Sequence, residues 1–313
     1  MEQTVVIAGS GIMGASLAQV YAGGGWKTLV WCRSQASADR CSQLIDLNQS
    51  TMVQTGMLTQ AESDDLRHRI QYSFDESVFA EPQVDLILET IVEDLAIKQE
   101  FLSRISRLAS PSVLMATNTS GLSITSLAAG MSHKERFMGQ HWLNPPHLIP
   151  LCELVSGAET APQTVEKMQA IVLGLGKHPV CVRDIPGFIV NRLQYALLRE
   201  ALHILDIDAA SVEDIDAVFK YGMGLRLAAV GQLSVVDFNG VDVFDKVTKY
   251  LFPDLDTSVS SPRLDQMVEK GYCGVKAGRG FYDYSGDKAE KAIRQRDEAY
   301  IRLAKCLYGP NKD

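Results

Sequence analysis

TVVIAGSGIMGASLAQVYA, Thr4 to Ala22, joins a β-branched segment, a glycine-spaced turn and a helix-forming segment without a break. Thr4-Val5-Val6-Ile7-Ala8 is short, continuous and apolar, the pattern of a strand covered on both faces in a parallel sheet. Gly9-Ser10-Gly11-Ile12-Met13-Gly14 follows at once, and Ala15 to Ala22 reads as a helix. In such a unit Gly9 permits the tight turn, Gly11 lets the backbone approach a pyrophosphate, and Gly14 lets helix and strand pack closely. The opening of the helix, Ile12 and Met13, presents unpaired N–H groups to the phosphates. A glycine turn without a ligand is the competing reading, and the clean strand and helix on either side count against it.

Outward from this unit, Gly23-Gly24-Gly25 ends the helix and Lys27 to Cys32 reads as a second strand. A dinucleotide fold selective for NAD places an acid at the end of that strand, bonded to the ribose 2′-hydroxyl. Here the position falls on Cys32, followed by Arg33 and Ser34, which suits a 2′-phosphate better than a bare diol. Arg33 stacked on adenine would leave NAD acceptable, so NAD and NADP both stay open. Ala36 to Leu66 reads as polar helix, with no lysine or arginine between Cys41 and Leu66.

Val84 to Thr90 is the next buried strand, running into a loop and helix at Ile91 to Lys98. Ligands bind at the carboxyl ends of parallel strands, so Glu93 and Lys98 are candidates to contact the nicotinamide ribose. Glu93 is equally suited to complement a helix dipole. Ser112 to Thr117 is a further strand, closing on Asn118-Thr119-Ser120. Asn118 is a candidate cofactor contact. Ser120 suits either a bond to a substrate oxygen or a helix cap. Alternating strands and helices in this order give an α/β, Rossmann-type doubly wound sheet.

Phe137 to Trp142 then forms a strand that brings His141 to the same edge, and Leu151 to Val155 looks like its neighbour. Glu153 would meet His141 across the pair. A histidine with a carboxylate partner and an amide, Asn144, within folding reach has the parts of a general base. The imidazole takes the proton, the carboxylate stabilises its cationic form, and the amide holds the reacting oxygen. The competing reading is a satisfied core histidine beside a surface carboxylate.

The chain has 313 residues, enough for two domains. A division into a dinucleotide-binding domain over 1–185 and a helical substrate and dimerisation domain over 186–313 follows from Pro186-Gly187 as a hinge. Beyond it, Phe188 to Leu205 has apolar residues at helical spacing, Ser211 caps a further helix, and Val241–Leu251 and Ala289–Leu307 read as helices. At 46% hydrophobic and 22% charged, with net charge −8, the composition is that of an ordered globular protein and disfavours a nucleic-acid partner. No apolar run is long enough for a membrane span, and the start lacks the basic flank of a signal peptide. Six scattered cysteines without CxxC spacing point to reduced thiols in a cytoplasmic protein, with neither a disulfide framework nor a metal site. His68, His133, His147, His178 and His203 have no carboxylate at recognisable spacing and receive no catalytic role, although His147 lies close enough to the site to be a substrate contact.

Taken together, the early GxGxxG, the Glu93–Lys98 loop, Asn118-Thr119-Ser120, His141 with Asn144-Pro145, and Glu153 resemble the L-3-hydroxyacyl-CoA dehydrogenase superfamily. The likeness continues through Asp184-Ile185-Pro186-Gly187-Phe188-Ile189-Val190-Asn191-Arg192 and Gly274-Val275-Lys276-Ala277-Gly278-Arg279-Gly280-Phe281-Tyr282-Asp283-Tyr284, in order and over nearly the whole chain. It implies a nicotinamide-dependent oxidoreductase with His141 as base and Glu153 as its partner. It also implies Ser120, Asn144 and Asn191 around the substrate oxygen, and a homodimer formed through the helical half.

Two departures bear on the substrate. Members acting on CoA thioesters tend to carry lysines in the region of residues 41–66, where this chain has none. The segments Asn144 to Pro150 and Gly222 to Ala228 look like the branch acting on small free hydroxy acids. That branch includes L-gulonate 3-dehydrogenase, lambda-crystallin, carnitine dehydrogenase and a pyridine-carboxylate dehydrogenase. Arg226 is then a candidate clamp for a free carboxylate, against the simpler reading of a surface salt bridge. The expected reaction is oxidation of the C3 alcohol of a small L-3-hydroxy acid to a ketone. A 3-hydroxyacyl-CoA dehydrogenase and a non-catalytic, crystallin-like dinucleotide binder are the alternatives.

Overall fold

A computed structural model describes residues 3–308. The chain divides into two compact units between Arg192 and Leu193. The first is built on one eight-stranded sheet: β1 (Thr4–Ala8), β2 (Lys27–Trp31), β3 (Ile70–Ser73), β4 (Leu86–Glu89), β5 (Leu114–Thr117), β6 (Phe137–Trp142), β7 (Leu151–Ser156) and β8 (His178–Arg183). Their spatial order is β3-β2-β1-β4-β5-β6-β7-β8, parallel throughout except at the antiparallel junction of β6 with β7. The order reverses between β1 and β4, and an open α/β sheet binds its ligand in the crevice at such a point.

The helices of this unit are α1 (Ile12–Gly23), α2 (Gln35–Gln54), α3 (Gln60–His68), α4 (Leu95–Leu108), a single turn α5 (Ile124–Leu127), and α6 (Pro162–Gly174). Two buried apolar clusters lie on opposite faces of the sheet. One gathers Ala15, Leu17, Tyr21, Ile45, Met168 and Val172 over one set of strand side chains. The other gathers Phe79, Phe101, Leu102, Ile105 and Leu127 over the alternate set. This is why β1, β4 and β5 read as unbroken apolar runs: both faces of the strand are covered.

Two strands are not apparent in the sequence pattern, and their own character explains why. β3 is only four residues long. β8 is a half-exposed edge strand, HPVCVR, whose alternation is weak. The α2 helix starts on a reciprocal cap in which Ser34 accepts from the Ser37 N–H, so the hydroxyl considered for a cofactor phosphate serves the helix.

The second unit is helical. It holds most of α7 (Val190–Asp206), then α8 (Val212–Ala217), a wider π-helical stretch Val218–Gly224, α9 (Leu225–Ala229), α10 (Gln232–Asn239), α11 (Val241–Leu251), α12 (Pro262–Glu269) and α13 (Lys288–Tyr308). The glycine-rich Gly274–Tyr284 segment is a tight structural fold within this unit. A Cβ on Gly280 would lie 2.9 Å from the Gly274 Cα, the Arg279 guanidinium stacks over Tyr272, and the Tyr282 hydroxyl donates to Asp216 (2.8 Å). No described helix is long and apolar enough to cross a membrane. Among the described residues no group of three or more His, Cys, Asp or Glu is placed to hold a metal ion.

Candidate active site

The glycine turn is constrained as its spacing suggests. Gly9 has φ +130°, and a Cβ there would sit 2.6 Å from the Thr90 hydroxyl; a Cβ on Gly14 would sit 2.0 Å from the Gly9 carbonyl. Gly11 differs, with nothing within 4 Å of its would-be Cβ. Its open side is where a phosphate can approach the backbone. Ile12 and Met13 open α1, whose amino terminus has no side-chain cap and no acidic residue in its first turn. Free N–H groups and a positive dipole end therefore face an unblocked space, which fits a dinucleotide pyrophosphate. A cavity of about 640 Å³ continues from Gly9, Ser10 and Gly11 past Thr90 and Ile91 to Arg33.

At the carboxyl end of β4 lies a buried polar cluster that the sequence reading names only in part. Glu89 is fully buried; it accepts from the Lys98 ammonium (2.6 Å), the Ile91 N–H (2.6 Å) and the Thr117 hydroxyl (2.6 Å). Lys98 is 1% exposed, and its other two donors go to the Ile91 carbonyl (3.3 Å) and Glu93 (3.3 Å). With three partners and no open surface, Lys98 cannot contact a ribose directly, contrary to expectation; its place is to support Glu93. Glu93 is exposed on one side and accepts from the Thr119 hydroxyl (2.5 Å) and the Ser120 N–H (2.9 Å) on the other. Glu89 carries no signal in sequence beyond being an acid at the end of an apolar strand.

Two strands over, His141 and Glu153 are direct cross-strand partners in the β6–β7 ladder. Their side chains meet with His141 Nδ1 2.7 Å from Glu153 Oε2, both nearly fully buried. The other carboxylate oxygen, Oε1, accepts from the backbone N–H groups of Ile189 and Val190, each at 2.9 Å. Burial alone would raise the Glu153 pKa; the His141 bond and the two amides outweigh it and hold the carboxyl below its usual range. With Nδ1 engaged, Nε2 is the nitrogen left over, and it has no hydrogen-bond partner among the described residues.

The amides that hold Glu153 come from a turn that the pattern analysis treats as helix. Gly187 and Phe188 both take left-handed backbone angles, φ +75° and +50°, and α7 begins only at Val190. For phenylalanine this conformation is strained. It is held because the ring is fully buried with its centroid 5.5 Å from the His141 ring. Nearby, Asp184 accepts from the Ser123 hydroxyl and the N–H groups of Ile124 and Thr125, tying the start of the turn to α5.

The remaining residues are placed as follows. Asn118 uses its side-chain carbonyl to accept from the Trp142 N–H (3.0 Å), linking the ends of β5 and β6. Ser120 is exposed, and its carbonyl accepts from Asn191 Nδ2 (2.6 Å). Asn144 is exposed on the β6–β7 loop. That loop is held from below by the half-buried Lys177, whose ammonium donates to the carbonyls of Pro146 (2.7 Å) and Ile149 (3.1 Å) and whose pKa is pushed down to about 8 by desolvation. His147 lies 3.2 Å from the Ser16 hydroxyl of α1. His133 does have a carboxylate partner, Glu135 at 3.4 Å, on an exposed turn. Arg226 lies in α9 of the second unit, exposed and without an ion pair among the described residues, so the surface salt bridge considered for it does not form there.

Comparison with known proteins agrees with this geometry. Residues 4–185 match the 3-hydroxyacyl-CoA dehydrogenase NAD binding domain, and residues 187–284 match the C-terminal domain of the same family. The chain is 30% identical over 312 residues to 5-formyl-3-hydroxy-2-methylpyridine 4-carboxylate 5-dehydrogenase of Mesorhizobium japonicum, covering 99% of both. It is 34% identical over 280 residues to a probable 3-hydroxybutyryl-CoA dehydrogenase of Deinococcus radiodurans, covering 89% of this chain and 99% of that one. A crystal structure of a 5-formyl-3-hydroxy-2-methylpyridine 4-carboxylic acid 5-dehydrogenase, described as an NAD+ dependent dismutase, superposes with a TM-score of 0.90 at 29% identity over 99% of each chain. With both domains matched in order, this chain belongs to the 3-hydroxyacyl-CoA dehydrogenase family and is an NAD-dependent dehydrogenase acting on a hydroxyl group.

Proposed function

We propose that the substrate is a small free hydroxy acid whose secondary alcohol is oxidised to a ketone, and that His141 is the base. The observation that carries this reading is the His141–Glu153 pair: a buried imidazole fixed through Nδ1, with Nε2 left for a substrate proton. Glu153 is held ionised by two amides and so stabilises the imidazolium that forms when the proton arrives. Asn144, Ser120 and Asn191 are the groups we assign to the substrate oxygen; Asn191 bonds the Ser120 carbonyl and so shares its site. The bound nicotinamide supplies the hydride acceptor.

The free-acid reading is supported by the absence of lysine and arginine from 42–65, the span that forms most of α2 and the start of α3. Coenzyme A carries a pyrophosphate and a 3′-phosphate, and a surface without cations there is a poor match. The end-to-end likeness to a pyridine-carboxylate enzyme points the same way. Arg226, exposed and without an ion pair among the described residues, is the residue we assign to the substrate carboxylate.

We further propose a homodimer through the helical unit. Tyr221, Leu233 and Phe238 there are 81%, 81% and 78% exposed, more large apolar surface than an isolated unit commonly leaves in water. A cytoplasmic setting suits the six free cysteines.

The test compares 3-hydroxybutyrate, gulonate and carnitine with 3-hydroxybutyryl-CoA, following reduced nicotinamide absorbance. The reading expects kcat/KM to favour a free acid, and Arg226→Met to weaken the free acid far more than the thioester. A preference for the thioester removes the free-acid assignment. Tight dinucleotide binding with no turnover on any of the four would make the protein a non-catalytic binder.

A further inference from the structure

The site described so far leaves the adenosine end of the dinucleotide unread. In a fold selective for NAD, an acid at the end of β2 accepts from the ribose 2′-hydroxyl. Cys32 stands there instead, 1% exposed, with its thiol donating to the Val30 carbonyl (3.6 Å). Burial pushes that thiol above its ordinary range, so it stays neutral and cannot take the part of a carboxylate.

What surrounds the position is cationic. Arg33, Arg40 and Arg104 all line the cavity that begins at Gly9 and Gly11. Arg104 is committed to Glu76 (2.8 Å) and Glu100 (3.5 Å). Arg33 and Arg40 are exposed and have no carboxylate partner among the described residues. Glu100 is the one carboxylate among the described residues lining the cavity, and it faces Arg104. The α2 helix points its amino terminus into this region with no acidic residue in its first turn. Two unpartnered guanidiniums and a positive helix end, without an acceptor for a diol, are a setting for a dianion.

We propose that this end of the site reads a 2′-phosphate through Arg33 and Arg40, so that the NAD-binding domain also takes NADP(H), and takes it more tightly than NAD(H). A phosphate contributes a charge near −2 and three acceptor oxygens, which the planar guanidinium fork matches. The proposal rests on the dehydrogenase reading, because it needs a dinucleotide in this cavity.

The test is direct binding, without turnover: titrate the full-length protein with NADH and with NADPH at low salt, following fluorescence or heat. The expected result is a Kd for NADPH roughly tenfold lower, with Arg33→Gln and Arg40→Gln each weakening NADPH by roughly tenfold and NADH by less than threefold. The NADPH advantage should also shrink as salt is raised. NADH binding as tightly as NADPH, or tighter, overturns the proposal. Equal losses for both dinucleotides in the arginine variants overturn it as well, and place the guanidiniums on adenine. If a folded protein binds neither dinucleotide, the dehydrogenase reading itself fails, which is a distinguishable outcome. Both arginines are exposed, so these variants do not put the fold at risk.

Discussion

Two buried carboxylate pairs, one with an ammonium and one with an imidazole, occupy the same edge of the sheet, two strands apart, and they are built to opposite ends. Lys98 and Glu89 meet at 2.6 Å, and the three donors of the ammonium all have partners, while both oxygens of the fully buried carboxylate accept, from three donors in all. His141 and Glu153 meet at 2.7 Å, with Glu153 equally well satisfied, but the imidazole keeps one ring nitrogen without a partner among the described residues. The first pair is closed, and its effect ends at the fold it stabilises and the Glu93 it supports. The second is open by one valence, and that valence is what a substrate proton can use. Burial and short distance are common to both, so neither marks a catalytic pair; the unfilled position does.

Breaking the open pair should have the largest effect on chemistry. His141→Ala removes the base and is expected to lower kcat by ~10²–10⁴ while dinucleotide affinity stays near wild type; it also costs stability, because the buried Glu153 carboxylate loses its imidazole partner. Undiminished turnover in a folded variant would remove His141 from the mechanism.

Breaking the closed pair should act on stability instead. Lys98→Met strands a fully buried carboxylate and is expected to destabilise the protein by about 3–5 kcal/mol, read from urea unfolding. Pairing it with Glu89→Gln removes the stranded charge, so the double variant should recover part of that loss. A Lys98→Met protein as stable as wild type would mean that the pair is not closed as described.

Glu153→Gln keeps the shape of the open pair but removes the charge that stabilises the imidazolium, and turnover should fall by roughly tenfold to a hundredfold, with KM moving less. The two amides that held a carboxylate would then face a neutral group.

The smallest effect expected is on acid stability. The folded pKa of Glu153 lies below its ordinary value of 4.5, so its contribution is present above that value and is lost as pH falls through the folded pKa. Between pH 6 and pH 3 the stability difference between wild type and Glu153→Gln should narrow. A difference that stays constant over that range would show that the carboxylate is not held ionised by its partners.

How much of this was legible along the chain depends on whether the signal is local. The strand–turn–helix at Thr4 to Ala22 is a local object, so its glycines and its strand could be read directly. Val241–Leu251 could be read for the same reason, from a strong amphipathic period. Lys98 was legible as a charged residue at the ligand edge, but its burial depends on Glu89, nine residues away on another element, and no period encodes that. The turn at Gly187-Phe188 reads as the start of a helix because Phe188 fits the apolar spacing of α7. Tertiary burial of its ring, in the apolar cluster and beside His141, holds it in a left-handed conformation that a helix cannot use.

The sequence by itself determined the fold class, the phosphate-binding turn, and the pairing of His141 with Glu153, because each follows from residue type at short range or from strand alternation. Tertiary structure decided which groups are free. It filled every donor of the Lys98 ammonium, spent the Ser34 hydroxyl on a helix cap, aimed two amides of the Phe188 turn at Glu153, and left Arg33 and Arg40 without a carboxylate partner among the described residues. A side chain's chemistry is carried by its identity, but whether that chemistry is available depends on what else the fold has brought within hydrogen-bond distance.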